Sequence, residues 1–132
     1  MKAVIQRVKS ASVTVEGNKI SQIGEGFFIL LGVVEGDTEE EMRLLASKTA
    51  NLRIFCDEDD KMNLSLLQTG GSALVVSQFT LCADTKKGNR PSFVEAGSPD
   101  KANALYEYII DRCKKTVPVV EKGSFGAHMA VE

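Results

Sequence analysis

Apolar and polar residues alternate with a period near two along the first quarter of the chain, and that period predicts strands. Lys2 to Val8 sets Ala3, Ile5 and Val8 against Val4, Gln6 and Arg7, and reads as a strand buried on both faces for part of its length. Ser10 to Val15 alternates more cleanly. Gly17-Asn18 supplies a turn, Lys19 to Ile23 returns as the hairpin partner, and Phe27 to Gly32 is a continuous apolar run suited to a central strand.

The period then lengthens. Thr38-Glu-Glu-Glu41 is a capping-box pattern, and Met42, Leu45, Thr49 and Leu52 follow on one helical stripe. Glu39 to Glu41 suit the positive end of that helix, so their role is a cap. Arg53 to Cys56 reads as a return strand, with Asp57 to Asp60 as a solvated turn that lacks the spaced ligands of a calcium loop. After the break at Thr69-Gly-Gly71 comes Ala73 to Leu81, a buried strand. Ser98-Pro99 starts a second helix, with Ser98 at the N-cap. Its stripe is Ala102, Leu105, Tyr106, Ile109, Ile110 and Cys113. Val117 to Glu121 and Ala127 to Val131 finish as strands. Strands with two interposed helices predict one α/β domain over residues 1–132, with the helices covering one side of the sheet layers.

Ala73 to Leu81 also carries the first sign of chemistry. Its apolar half, Ala-Leu-Val-Val, turns at Ser77 into Ser-Gln-Phe-Thr, and buried hydroxyls and amides are unfavourable unless bonded. A strand that delivers several together forms a structural cap or the floor of a pocket. The segment Asp84 to Phe93 follows, a Gly/Pro/Asn-punctuated loop carrying Lys86, Lys87 and Arg90.

Composition narrows the function classes. A formal net charge of −2 argues against a protein that coats nucleic acid by charge alone, so any RNA contact must come from a local basic patch. Cys56, Cys82 and Cys113 are odd in number and far apart, which suggests neither a disulfide framework nor a zinc site. The longest apolar run, Phe27 to Val34, is far shorter than the roughly 20 residues of a membrane span. With no charged-then-apolar leader, the expectation is a cytoplasmic protein with no membrane partner and neither metal nor cofactor.

Ser77-Gln-Phe-Thr-Leu81 and Lys87-Gly-Asn-Arg-Pro-Ser-Phe93 together resemble the D-aminoacyl-tRNA deacylase family, formerly called D-tyrosyl-tRNA deacylases. Met1 to Val8 with Ala11-Ser-Val13, and Gly123 to Met129, agree, so the resemblance spans essentially the whole chain. It implies two packed, largely antiparallel β-sheets with helices against one of them, assembled as a homodimer. The implied reaction is hydrolysis of the ester between a D-amino acid and the terminal ribose of tRNA.

The same resemblance implies the site. Ser77, Gln78, Phe79 and Thr80 are its catalytic stretch, with Thr80 Oγ the candidate nucleophile and N–H groups near Phe79 and Thr80 available to the ester carbonyl. Arg7 lies beside the site in the family, although pattern alone favours an outward-facing edge charge there. Phe79 and Phe125 are placed near the terminal adenine, with Gly126 and Ala127 beside them, and Lys86, Lys87 and Arg90 are available to phosphates. An unassisted threonine is a poor nucleophile. A Ser77–His128–Asp84 or Thr80–His128 arrangement is a competing reading, but His128 sits on an alternating strand with no nucleophile motif around it. Backbone positioning, with the ribose 2′-hydroxyl helping to activate water, is the preferred mechanism.

One departure concerns a Gly-Pro dipeptide that the family inserts into the partner's pocket to screen out L-amino acids. Here Val131-Glu132 ends in mid-alternation and Pro91, Pro99 and Pro118 all follow residues other than Gly, which reads as an omitted tail. The runner-up function is a non-catalytic nucleic-acid-binding relative, and a general esterase is the third.

Overall fold

The computed structural model describes residues 1–132. Four strands come first: β1 (Lys2–Val8), β2 (Ala11–Val15), β3 (Asn18–Ile23) and β4 (Gly26–Gly32). Helix α1 (Glu39–Asn51), the short strands β5 (Phe55–Cys56) and β6 (Met62–Leu64), and the single turn α2 (Leu66–Thr69) lead to β7 (Ser72–Ser77). A 3-10 turn (Phe79–Cys82), the long helix α3 (Pro99–Lys114), β8 (Val120–Lys122) and β9 (Met129–Val131) complete the chain.

The larger sheet has the order β1-β4-β7-β8 and the smaller β3-β2-β9, while β5 and β6 form a separate ribbon. Antiparallel pairing joins β1 to β4, β2 to both β3 and β9, and β5 to β6, whereas β4–β7 and β7–β8 are parallel. The antiparallel majority that the resemblance implies therefore holds, beside two consecutive parallel pairs that alternation along the chain does not reveal. A parallel pair needs a long crossover, and these two are supplied by the α1-to-α2 segment and by α3. Both crossovers step the same way across the sheet, which leaves both long helices on one face.

Alternation along β4 and β7 divides the core. Phe27, Ile29, Leu31, Ala73 and Val75 face the helices, where they meet Met42, Ala46, Leu105, Tyr106, Ile109 and Ile110. Leu74 and Val76 face the smaller sheet and pack with Ala11, Val13 and Ile23. The result is three layers: helices, four-stranded sheet, three-stranded sheet. Leu74 and Val76 are fully buried, and each side chain removed from water in this way contributes roughly 1.5–3 kcal/mol.

Local chemistry fixes the element ends. The β2–β3 hairpin turns on Glu16-Gly17, both at positive φ (50° and 80°), so the turn falls one residue earlier than Gly17-Asn18. That conformation matches the primed turn which a two-residue hairpin loop requires. At α1 both halves of the capping box form: Glu41 Oε2 accepts the Thr38 N–H at 2.7 Å, and Glu40 N–H donates to Thr38 Oγ1. These bonds hold the Glu41 carboxyl below the usual carboxylate range, the Thr38 side chain contributing most. The acidic turn is held by Asp57, which accepts N–H groups of Asp59 and Lys61 and the Asn63 amide.

Four expectations change. Strand β1 is buried on one face only, because its outer side has no layer over it and Val4 is 48% exposed. Leu52 lies beyond the end of α1, which stops at Asn51. A second capping box, Ser65 with Gln68, builds α2, a single turn beyond the two helices that periodicity predicts. Ser98 precedes α3 as expected, but its hydroxyl caps nothing; the Glu35 carboxylate instead accepts the Ser98 N–H at 3.0 Å.

Candidate active site

Three parallel strands point their carboxyl ends the same way, and the loops that leave those ends converge. Val33 follows β4, Gln78 and Phe79 follow β7, and Phe125 to Ala127 follow β8. Together with Ser77, the first turn of α3 and Met129 they enclose a cavity of about 410 Å³. Crevices at the carboxyl ends of parallel strands are where open α/β sheets bind ligands. No ionisable side chain lines this one; its other walls are Ala96, Gly97, Pro99 and Ala102.

The β7 side is built by a change in backbone direction. Gln78 N–H donates to Leu31 O at 2.8 Å, which continues the ladder one residue past Ser77, and the chain then tightens into the 3-10 turn. The first N–H groups of such a turn have no partner within it. Accordingly the N–H groups of Phe79 and Thr80 donate to no atom of the chain, whereas Leu81 N–H donates to Gln78 O. Gly32 makes the approach possible, because a Cβ there would sit 3.0 Å from Leu81 Cβ and 3.1 Å from Gln78 O. Gln78 Nε2 donates to Thr80 Oγ1.

The opposite side is a β-turn. Ala127 N–H donates to Ser124 O at 3.2 Å, with Gly126 at φ 75° in the third position, where a turn of this kind demands glycine. The half-buried Phe125 ring lies 6.0 Å from Tyr106, while Phe79 is 55% exposed and meets Phe93 edge-on at 5.1 Å.

Ser77, Gln78, Phe79, Phe125, Gly126 and Ala127 therefore line one cavity, although more than 40 residues separate the two groups in sequence. Thr80 is exposed just outside it. Lys87 and Arg90 line a separate cleft of about 290 Å³ with Asp84, Ser92, Val94 and Glu95, and exposed Lys86 donates its backbone N–H to Asp84. The Phe79–Phe93 pair stands at the 3-10 turn's side of that basic loop.

Arg7 is not brought to the cavity. It pairs with Phe27, and Phe27 with Ala73, four residues short of Ser77 along β7, so roughly 13 Å of strand separates them. The cause is direction: β1 runs antiparallel to β4, and its late residues reach the amino ends of the parallel strands. There Arg7 Nη1 donates to Ile54 O at 2.8 Å, with Cys56 Sγ at 3.7 Å. His128 is exposed, makes no hydrogen bond and does not line the cavity, although its neighbours Ala127 and Met129 do; the strand expected from Ala127 begins only at Met129. No Ser77–His128–Asp84 or Thr80–His128 arrangement is assembled.

Pattern reading missed Val33, Ala96, Gly97, Pro99, Ala102 and Met129. Small and apolar residues carry no chemical signature; only the lack of room at Gly32, seen in three dimensions, marks this region.

The model of the family described as D-Tyr-tRNA(Tyr) deacylase matches residues 4–132. The chain is 51% identical over its full length to the D-aminoacyl-tRNA deacylase of Clostridium acetobutylicum, spanning 89% of that protein, and 54% identical to that of Dehalococcoides mccartyi, spanning 86%. A solved structure titled "c-Myc DNA Unwinding Element Binding Protein" superposes with a TM-score of 0.94 at 41% identity, covering all of this chain and 90% of that one. A probable eukaryotic D-amino acid tRNA deacylase shares the fold with a TM-score of 0.85 at 16% identity, covering 98% of this chain and 91% of that one. On the match over residues 4–132 and on these identities, the chain belongs to the D-Tyr-tRNA(Tyr) deacylase family.

Proposed function

We propose that this protein hydrolyses the ester of D-aminoacyl-tRNA, releasing the free D-amino acid and tRNA, and that the cavity at the carboxyl ends of β4, β7 and β8 receives the aminoacyl group. The observation that carries the reading is the meeting of Ser77–Phe79 with Phe125–Ala127 around one neutral cavity, in a chain of this family.

Ester hydrolysis develops negative charge on the carbonyl oxygen, and preorganised donors that face it are usually the largest catalytic contribution. The unpaired N–H groups of Phe79 and Thr80 supply such donors. A cavity without fixed charges leaves them little competition. Thr80 orients rather than attacks: its hydroxyl accepts from Gln78 and has no base beside it, so nothing removes its proton. Water activated with the help of the ribose 2′-hydroxyl is the nucleophile. Exposed Phe79 offers a face to the terminal adenine, since single-stranded RNA ends are held by aromatic stacking and 2′-hydroxyl contacts. Lys86, Lys87 and Arg90 meet phosphates farther along the acceptor end.

The working unit in this reading is a cytoplasmic homodimer without metal or cofactor, its three cysteines reduced. The unpaired outer edge of β1 and the free state of all three cysteines support it. A Gly-Pro segment supplied by the partner would complete chiral selection.

A second reading is binding of nucleic acid without hydrolysis; the relative at 41% identity is named for binding a DNA element, which favours the binding and is silent on hydrolysis. Release of amino acid from matched D- and L-tyrosyl-tRNA separates the two. The deacylase predicts release from the D-ester; binding of tRNA with release from neither, by a chain carrying the Gly-Pro tail, would establish the second reading instead.

A further inference from the structure

The two sides of the cavity share a root that lies outside it. Tyr106 belongs to the buried stripe of α3 and is 1% exposed, and its neighbours there, Leu105, Ile109 and Ile110, are wholly apolar. Packing alone asks for no hydroxyl at this position, and burying one without a partner is costly. The Tyr106 hydroxyl has partners. It donates to Val75 O at 2.8 Å, with Gly123 O at 3.4 Å.

Those two carbonyls belong to opposite sides. Val75 lies on β7 two residues before Ser77, and Gly123 opens the loop that carries Phe125, Gly126 and Ala127. Val75 O also accepts the Gly123 N–H at 3.1 Å, so one carbonyl joins β7, the loop and α3. The Tyr106 ring packs against Phe125, and Gly123 lies close under Met129, whose Sδ would have to shift to admit a Cβ there. Burial pushes the phenol pKa far up, so the hydroxyl stays a neutral donor across the range in which the ester survives.

We propose that Tyr106 is a positioning residue which, through its hydroxyl, sets the separation of the Ser77–Phe79 and Phe125–Ala127 sides of the cavity. It does not line the cavity itself. Its use in catalysis rests on the deacylase reading above; its action on the wall does not.

The test compares wild type, Tyr106→Phe and Tyr108→Phe in the full chain. Tyr108 is half-buried on the same helix and its hydroxyl makes no hydrogen bond, so it controls for loss of a phenol. Amide hydrogen exchange at Gly123 and Ala127 should quicken roughly five- to tenfold in Tyr106→Phe, the scale of one hydrogen bond, with Leu105 and Ile109 unchanged. In parallel, kcat for D-tyrosyl-tRNA should fall by a similar factor with KM within about twofold, because positioning acts after the tRNA is held. Unchanged exchange at Gly123 and Ala127, or uniform quickening along the helix, would overturn the proposal. So would faster exchange with kcat per folded molecule unchanged. If wild type carrying the Gly-Pro tail releases no amino acid, the deacylase reading fails separately, and exchange alone decides whether the hydroxyl sets the wall.

Discussion

The four-stranded sheet has a cleft at each end, and the two differ in kind. At the carboxyl ends of β4, β7 and β8 the cavity of about 410 Å³ is neutral and apolar apart from Ser77, Gln78 and backbone groups. At the other end a cleft of about 390 Å³ is lined by Arg7, Lys9 and Glu25 with Cys56, Phe55 and Thr69. Fixed charges in the second cleft attract ions whatever the state of a substrate. In the deacylase reading, the neutral cavity responds to charge that the reaction creates, so donors there would discriminate transition state from ground state. Strand direction, rather than residue type, decided which loops met in which cleft.

The comparison is broken most forcefully at Phe79. Stacking of a base on an aromatic ring is worth about 1–3 kcal/mol, so Phe79→Ala should lower kcat/KM for D-tyrosyl-tRNA roughly tenfold to hundredfold. Its ring is more than half exposed, so thermal unfolding should barely move. An equal loss of stability would make the ring core rather than platform.

A smaller effect is expected at the opposite end. Arg7→Ala removes the bond to Ile54 O on an exposed side chain and should cost about 1 kcal/mol or less in urea unfolding. Loss of deacylation with stability intact would instead carry the guanidinium to the cavity of a second copy, and the two ends of the sheet would then serve one site.

The smallest effect concerns pH. Bonds from the Lys61 N–H, the Asn63 amide and the Asp59 N–H outweigh burial and hold the Asp57 carboxyl below its usual range. A depressed carboxylate stabilises fully above its unfolded value, about 3.9, and loses that contribution as pH falls through the lower folded value. Wild type should therefore exceed Asp57→Ala in stability near neutrality, and the two unfolding curves should converge below about pH 4, with no change at the distant cavity.

Much of this was legible before any coordinates. The alternation of β2, the apolar run of β4 and the Thr38–Glu41 box fixed their elements because each is local, set by a period or by atoms three residues apart. The stripe of α3 predicted six buried positions, all of them buried. Ser77 to Phe79 and Phe125 to Ala127 were legible as motifs, but their meeting was not, since it depends on β7 and β8 lying parallel. At Arg7 the pattern favours an outward-facing edge charge, and the side chain is exposed, but a strand's pattern says nothing about direction and so not to which end of the sheet the residue goes. Tyr106 was read as core because a periodic stripe does not reveal where a hydroxyl points. Ser65-x-x-Gln68 is a local signal of the same kind as the Thr38–Glu41 box, and it builds the single turn α2 just before the Gly-Gly break.

The most direct measurement is a structure of the protein with an amide-linked D-tyrosyl analogue of the terminal adenosine, which cannot be hydrolysed. The account predicts the tyrosyl group between Ser77–Phe79 and Phe125–Ala127, its carbonyl oxygen within hydrogen-bond distance of the Phe79 or Thr80 N–H, and the adenine on Phe79. An analogue seated in the Arg7–Cys56 cleft, with the neutral cavity empty, would contradict it.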